Sequence, residues 1–142
     1  MDLIFFDLDG TLLNSASEIS PFTKETLILL NEKDIAYTLA TGRTMLSAKS
    51  ILKGHDFELP QAYNNGVTIW DPKAKELTLE NLLSNAEISS VIELADSQGI
   101  TPFIHAIDDQ HCYIYHAAPR HQVERELINT RYCHVKAKIL PI

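Results

Sequence analysis

The chain has 142 residues, 45% of them hydrophobic and 22% charged, with a formal net charge of −7, the profile of a soluble globular protein long enough for one domain with a real core or one and a half small ones. The acidic balance argues against a nucleic-acid binder, which carries a basic face. No apolar run reaches the length of a membrane span, and the N-terminus has neither the charged start nor the cleavage site of a signal peptide. Two cysteines, Cys112 and Cys133, make no disulfide framework, so a reducing cytoplasm is the expected compartment.

The first element is Leu3 to Phe6, a short apolar run expected as a strand buried on both faces of a parallel sheet. It delivers two carboxylates, Asp7 and Asp9, and stops at Gly10. Residues two apart in extended chain point the same way. Asp7 and Asp9 can therefore share one small volume beyond the carboxyl end of the strand, where open α/β sheets bind ligands. Two anions that close repel unless a cation or a shared proton joins them. Mg2+ fits, because it takes a few carboxylates plus water and a phosphate oxygen. One carboxylate can attack a phosphorus centre, while the other protonates the leaving group and later takes a proton from water. Gly10 lets the backbone turn sharply and bring its amides to a phosphate. The plain alternative is a surface turn in which Asp9-Gly10 only ends a strand.

The run Asp7-Leu8-Asp9-Gly10-Thr11-Leu12-Leu13 resembles the first motif of the haloacid dehalogenase superfamily, Asp-x-Asp-Gly-Thr at the end of an apolar N-terminal strand. The second Asp points to its phosphatase and phosphotransferase branch. The resemblance implies Asp7 as the nucleophile that forms an aspartyl-phosphate and Asp9 as the general acid/base. It also implies Mg2+ held by the Asp7 carboxylate and the Asp9 main-chain carbonyl.

Leu12 to Ile19 is polar and irregular in character (Asn14, Ser15, Ser17) and is expected as a mobile flap. Ser20-Pro21 then announces a helix, with Ser as N-cap and Pro at the first helical position. That helix is expected from Pro21 to Lys33, and well buried, since Phe22, Leu29 and Leu30 share a face that Leu27 and Ile28 widen. Ile35 to Ala40 is the second strand, ending in Thr41-Gly42-Arg43. Strand, helix and strand with short connections make a βαβ unit with parallel strands. The ends of the two strands then face the same edge, and Thr41, Gly42 and Arg43 fall near Asp7. A hydroxyl and an amide can donate to phosphate oxygens, and Arg can pair with one bidentately. Thr-Gly before a helix is by itself an ordinary turn or cap. Roughly thirty residues after the first motif, and at the next strand end, it is similar to the second motif of the superfamily. The resemblance implies that Thr41 binds the phosphoryl group, with Gly10 and Gly42 beside it.

A helix is expected from Thr44 to Lys53, with Met45, Ala48 and Leu52 on one face and Gly54-His55 ending it. Leu59 to Tyr63 leads into Asn64-Asn65-Gly66, and Val67 to Trp70 should pair with Glu76 to Leu79 across Asp71-Pro72-Lys73. Asn-Asn-Gly reads as a turn. It also resembles a segment of the Cof-like phosphatases of the superfamily, which implies Asn65 at the rim of the site as a substrate contact beside Arg43.

From Asn81 to Asn85 the character changes. A helix from Ala86 to Ser97 carries the stripe Ile88, Val91, Ile92 and Ala95 and ends at Gly99. Ile100 to Ala106 and His111 to His116 form an expected hairpin about Asp108-Asp109-Gln110, with Pro102 marking an edge. A helix from Pro119 to Asn129 and a strand from Cys133 to Leu140 complete the chain. This order resembles the α/β cap of Cof-type enzymes, which closes over the site and selects the substrate. The scattered His111, Cys112, His116, His121, Cys133 and His134 match no recurrent zinc spacing.

The expected fold is α/β: an incomplete Rossmann-like parallel-sheet core of the haloacid dehalogenase type (1–81) with an inserted α/β cap (82–142). Complete enzymes of the family carry a later lysine and a Gly-Asp-x-x-x-Asp-like segment after the cap, and no residue here has that context. Without the strands that bear them, Leu3 to Phe6 is an exposed apolar edge open to pairing. The chain is thus expected to be a fragment of a longer protein or a homo-oligomer through that edge. The expected activity is Mg2+-dependent hydrolysis of small phosphate monoesters such as sugar phosphates. The alternative is a catalytically silent chain that binds phosphate and Mg2+ or only self-associates.

Overall fold

Two strands far apart in sequence set the geometry: β1 (Leu3–Phe6) and β2 (Ala36–Leu39) pair in parallel, Leu3 opposite Ala36 and Phe6 opposite Leu39. The computed structural model describes residues 3–107, 112–130, 132 and 136–139. The chain is α/β and divides into two units, Met1–Leu82 and Leu83–Ile142.

In the first unit, α1 (Pro21–Glu32) connects β1 to β2. It starts where Ser20 Oγ accepts the Thr23 N–H at 3.1 Å, with Pro21 in the first turn. The helix is less buried than its sequence led us to expect. Leu27 is its one buried residue and Leu30 packs partly against the core, whereas Phe22 is 78% exposed and Ile28 and Leu29 are exposed as well. A single contact stripe explains this: positions three and four apart meet the sheet, and residues off that stripe meet nothing. β1 likewise departs from expectation. Its residues alternate, Ile4 and Phe6 packing on the core while Leu3 and Phe5 (60% exposed) face outward. Among the described residues β1 pairs only with β2, so one edge and one face are uncovered.

Residues 12–19 form a compact turn in place of an irregular flap. Leu12, Leu13 and Ile19 are buried in the core, and Leu13 bridges Ile19. Asn14 Oδ1 accepts the N–H groups of Ala16 (2.9 Å) and Glu18 (3.0 Å).

α2 (Met45–Ile51) is capped by Thr44, and Ala48 and Leu52 are buried on the predicted face. β3 (Gln61–Tyr63), β4 (Thr68–Asp71) and β5 (Glu76–Leu79) form an antiparallel sheet in which Gln61 faces Trp70 and Thr68 faces Leu79. A parallel bridge from Ala40 to Ala62 joins β3 to the end of β2. The core centres on Leu8, Leu39, Leu52 and Tyr63, with Tyr37 edge-on to both Phe6 and Phe57 at 6.1 and 5.8 Å.

The second unit runs α3 (Asn85–Ser97), β6 (Ile104–Ile107), β7 (Cys112–His116), α4 (Gln122–Thr130) and β8 (Lys136–Ile139). β6 is antiparallel to β7, and β8 is parallel to β7, so α4 is the crossover that parallel pairing requires. Ser84 and Glu87 form a reciprocal capping box at the start of α3. No residue of α3 is fully buried, and Val91 on the expected stripe is exposed. β6 starts four residues later than predicted because Pro102 has no N–H and the Thr101 N–H goes to Glu124 Oε1 at 3.0 Å. The same carboxylate takes the N–H groups of Arg120 (2.5 Å) and His121 (3.0 Å) through Oε2. These bonds hold residues 120 and 121 ahead of α4, which therefore starts at Gln122 instead of Pro119. His116 is buried with Nδ1 on its neighbour Ala117's carbonyl at 2.7 Å. The predicted turn at Asp108-Asp109-Gln110, and also His111, Cys133 and His134, lie outside the described residues.

Candidate active site

The chain leaves β1 in a turn that sends Asp7 and Asp9 outward and Leu8 inward, the alternation of extended backbone. Leu8 is fully buried and both aspartates are exposed. Leu13 and Leu12 N–H donate back to Leu8 O (2.9 Å) and Asp7 O (3.3 Å). The reversal passes through Gly10 at φ +75°, where a side chain would be strained. Asp7 Oδ1 accepts its neighbour Leu8's N–H at 2.7 Å.

Because β2 runs parallel to β1, its end reaches the same edge. Arg43 crosses from there to grip Asp9 with two prongs, Nε on Oδ2 at 2.7 Å and Nη2 on Oδ1 at 2.6 Å. Its Nη1 lies 3.5 Å from Ser47 Oγ, in the first turn of α2. The hydrogen bond to Asp9 raises the Arg43 pKa, against a smaller opposing effect of burial, and the charges of Asp9 and Asp7 add to the rise. The guanidinium stays charged.

Thr41 is buried; its N–H donates to Ala62 O at 3.0 Å and its Oγ1 accepts the Arg43 N–H at 3.2 Å. The turn after β3 is latched on the same loop: Asn64 N–H donates to Arg43 O (2.9 Å) and Asn65 N–H to Thr41 O (3.1 Å). Asn64 and Asn65 sit at φ +50° and +56°, a conformation that Asn tolerates better than other side chains. Asn65 leans over Gly42, where an added Cβ would stand 3.0 Å from Asn65 Oδ1. Glycine at 42 is what permits this close approach.

The structure thus joins Asp9 to Arg43 directly, and Thr41, Gly42 and Asn65 into one backbone-linked loop pair. Arg43, expected as a phosphate contact, is engaged with Asp9. Two partners escaped the sequence reading. Asn64 holds the Arg43 carbonyl, and only its place beside Asn65 hinted at a role. Ser47 lies in the first turn of α2, and because Arg43 stands outside that helix no helical spacing pointed to the contact. For a metal, the oxygen donors at residues 7–9 are of the hard kind that Mg2+ takes. The described residues contain no group of three or more His, Cys, Asp or Glu side chains able to hold an ion. No described helix is long and apolar enough to cross a membrane.

The sequence profile of the haloacid dehalogenase-like hydrolases matches residues 4–139. An HMP-PP phosphatase of Serratia proteamaculans is 32% identical over 80 residues, 56% of this chain and 29% of that protein. A 5-amino-6-(5-phospho-D-ribitylamino)uracil phosphatase of Bacillus subtilis is 39% identical over 71 residues, 50% of this chain and 24% of that one. Among solved structures, a haloacid dehalogenase-like hydrolase from Bacteroides thetaiotaomicron superposes with a TM-score of 0.67 at 28% identity, covering 99% of this chain and 52% of that one. The chain therefore spans about half the length of that hydrolase.

Proposed function

We propose a function from the family to which the chain belongs, the haloacid dehalogenase-like hydrolases: hydrolysis of small phosphate monoesters through an aspartyl-phosphate, with Mg2+ as cofactor. The observation that carries this reading is the two-pronged Arg43–Asp9 pair. It unites two motifs that lie 34 residues apart at one edge of a parallel sheet. The phosphatase names of the Serratia and Bacillus relatives support the reaction class.

In this reading Asp7 attacks phosphorus, and Asp9 gives a proton to the leaving oxygen and then takes one from the hydrolytic water. Thr41, with the amides of Gly10 and Gly42, holds the phosphoryl oxygens. The site edge carries Asn65, which contacts the substrate, and Arg43, which exchanges its hold on Asp9 for a phosphate oxygen. Mg2+ would be held by the Asp7 carboxylate and the Asp9 main-chain carbonyl, as the resemblance to the family implies. When bound it supplies charge neutralisation for the anionic phosphoryl group. Residues 1–81 act as the catalytic core and residues 82–142 as the α/β cap that selects the substrate. The substrate class is a small phosphorylated metabolite such as a sugar phosphate, and with two cysteines in the chain the working compartment is the cytoplasm.

Hydrolysis of an aryl phosphate with and without Mg2+, wild type against Asp7→Asn, tests the proposal. Metal-dependent turnover lost in the variant supports it. Turnover equal to the variant's favours the second reading, a silent chain that acts by self-association. The exposed Leu3 and Phe5 beside the uncovered edge of β1 support that alternative. A monodisperse monomer in light scattering would remove it.

A further inference from the structure

At the far end of β3 from Asn65 lies a cavity of about 610 Å3 between the end of α2 and the face of the β3–β4 pair. Its origin is local. α2 is only seven residues long, and Gly54, at φ +84°, turns the chain away after it, so the helix leaves part of the sheet face uncovered. Gln61 and Trp70 are direct partners across that face. Tyr63, two residues on from Gln61, is buried in the floor with its hydroxyl donating to Gln61 Oε1 at 2.6 Å. The Gln61 amide is itself anchored on Phe57 O at 3.0 Å. The floor is therefore a fixed aromatic surface with its polar atoms paired, of the kind that preformed ligand pockets use.

The rim carries the charge. Lys49, Lys53 and Lys73 line the cavity, three of the chain's 12 Lys and Arg residues in a protein of net charge −7. Asp56 and Glu58 are also there, but Glu58 already faces Lys73 at 3.7 Å. Lys49, in the last turn of α2, and Lys53, just past the helix end, supply the remaining positive charge on the rim against the one carboxylate of Asp56. The Lys49 ammonium stands 5.4 Å from the centre of the Trp70 ring, within cation–π range. Three lysines against the carboxylates of Asp56 and Glu58 leave the lining at +1 in a protein of net charge −7, a local excess that favours an anion, and an indole with aromatic neighbours offers a stacking surface. The cavity lining contains none of Asp7, Asp9, Thr41, Arg43 or Asn65.

We propose that this cavity is a second binding site, for a planar aromatic anion whose ring lies against Trp70 and whose charge meets Lys49 and Lys53. Trp70 is the only tryptophan of the chain, so its fluorescence reports on the cavity directly. The probe is 4-nitrobenzoate, a quencher of indole emission, with neutral 4-nitrobenzamide as the ring-matched control. Saturable quenching is expected from the acid, with the amide binding about tenfold more weakly. Lys49→Gln and Lys53→Gln, both exposed positions, should each weaken the acid by up to about fivefold, the scale of one partly exposed charge interaction. Asp7→Asn should leave it unchanged. Non-saturating quenching equal for acid and amide would overturn the proposal. So would saturation that ignores both lysines or is lost in Asp7→Asn.

Discussion

Asp9 in the first unit and Glu124 in the second are both carboxylates held by several donors, one at an exposed position and the other buried. Asp9 takes two from one side chain, the Arg43 guanidinium, and its own side chain is 44% exposed. Glu124 is buried and takes three from the backbone, at Thr101, Arg120 and His121. A side-chain donor can swing to another anion at the cost of a rotamer change and a partly hydrated ion pair. Backbone donors cannot leave without unwinding the chain that bears them. Glu124 thus fixes a loop against a helix start, while the Arg43 hold on Asp9 rests on a side chain that can move. Charge and count alone would not separate them.

The sharpest way to break this contrast is to remove each acid in turn. Asp9→Asn should lower aryl-phosphate turnover by about 100- to 10,000-fold, the span of general acid–base catalysis, and change unfolding free energy by less than about 1 kcal/mol. A large stability loss in a urea melt would show that the pair is structural after all. Glu124→Gln should do the reverse, costing about 1–3 kcal/mol by leaving buried N–H groups poorly matched. Burial raises the Glu124 pKa, but hydrogen bonds, chiefly from the backbone N–H groups of His121, Thr101 and Arg120, outweigh it and bring the carboxyl from its ordinary 4.5 down to about 2. A group depressed on folding stabilises the fold above its unfolded pKa and loses that contribution as pH falls through the folded value. Wild-type stability should therefore decline between pH 4.5 and about 2, and the decline should flatten in Glu124→Gln.

The same contrast explains what could be read in advance. The placement of Asp7, Asp9 and Thr41-Gly42-Arg43 at one sheet edge was legible because each lies at the end of an apolar run, where local pattern and topology agree. Ser20-Pro21 and the α2 face were legible for the same reason: capping and periodicity are short-range. Glu124 was not. Its partner Thr101 lies 23 residues away, and nothing in the spacing distinguishes it from Glu126 on the same helix. The uncovered faces of β1 and α1 were misread because an apolar run reports what a surface can bury, and not whether something covers it. The turn at 12–19 was misread because its polar tip, Asn14 to Glu18, hid the three apolar anchors around it.

A smaller change probes how Arg43 works. Arg43→Lys keeps a charge but not the planar fork that matches a carboxylate or a phosphate. We expect KM for an aryl phosphate to rise about tenfold with stability nearly unchanged, because one hydrogen bond replaces two. An equal fall in kcat with KM fixed would instead place the arginine in the transition state alone.

The smallest effect tests the contact between the two loops. Gly42→Ala puts a Cβ 3.0 Å from Asn65 Oδ1, so the Asn65 amide must retreat by a few tenths of an ångström. The backbone need not move, because the atom met is the end of a side chain. The expected result is a rise in KM of about two- to fivefold, a fraction of a tenfold step and so under about 1 kcal/mol, with an unchanged melt. Asn65→Gly removes the amide and keeps the left-handed backbone without strain. If the two positions act through that one contact, Gly42→Ala added to Asn65→Gly should have no further effect on KM. An additive double variant would mean that the methyl group introduced at position 42 disturbs the phosphate-facing amide itself, and that Asn65 and Gly42 serve the site separately.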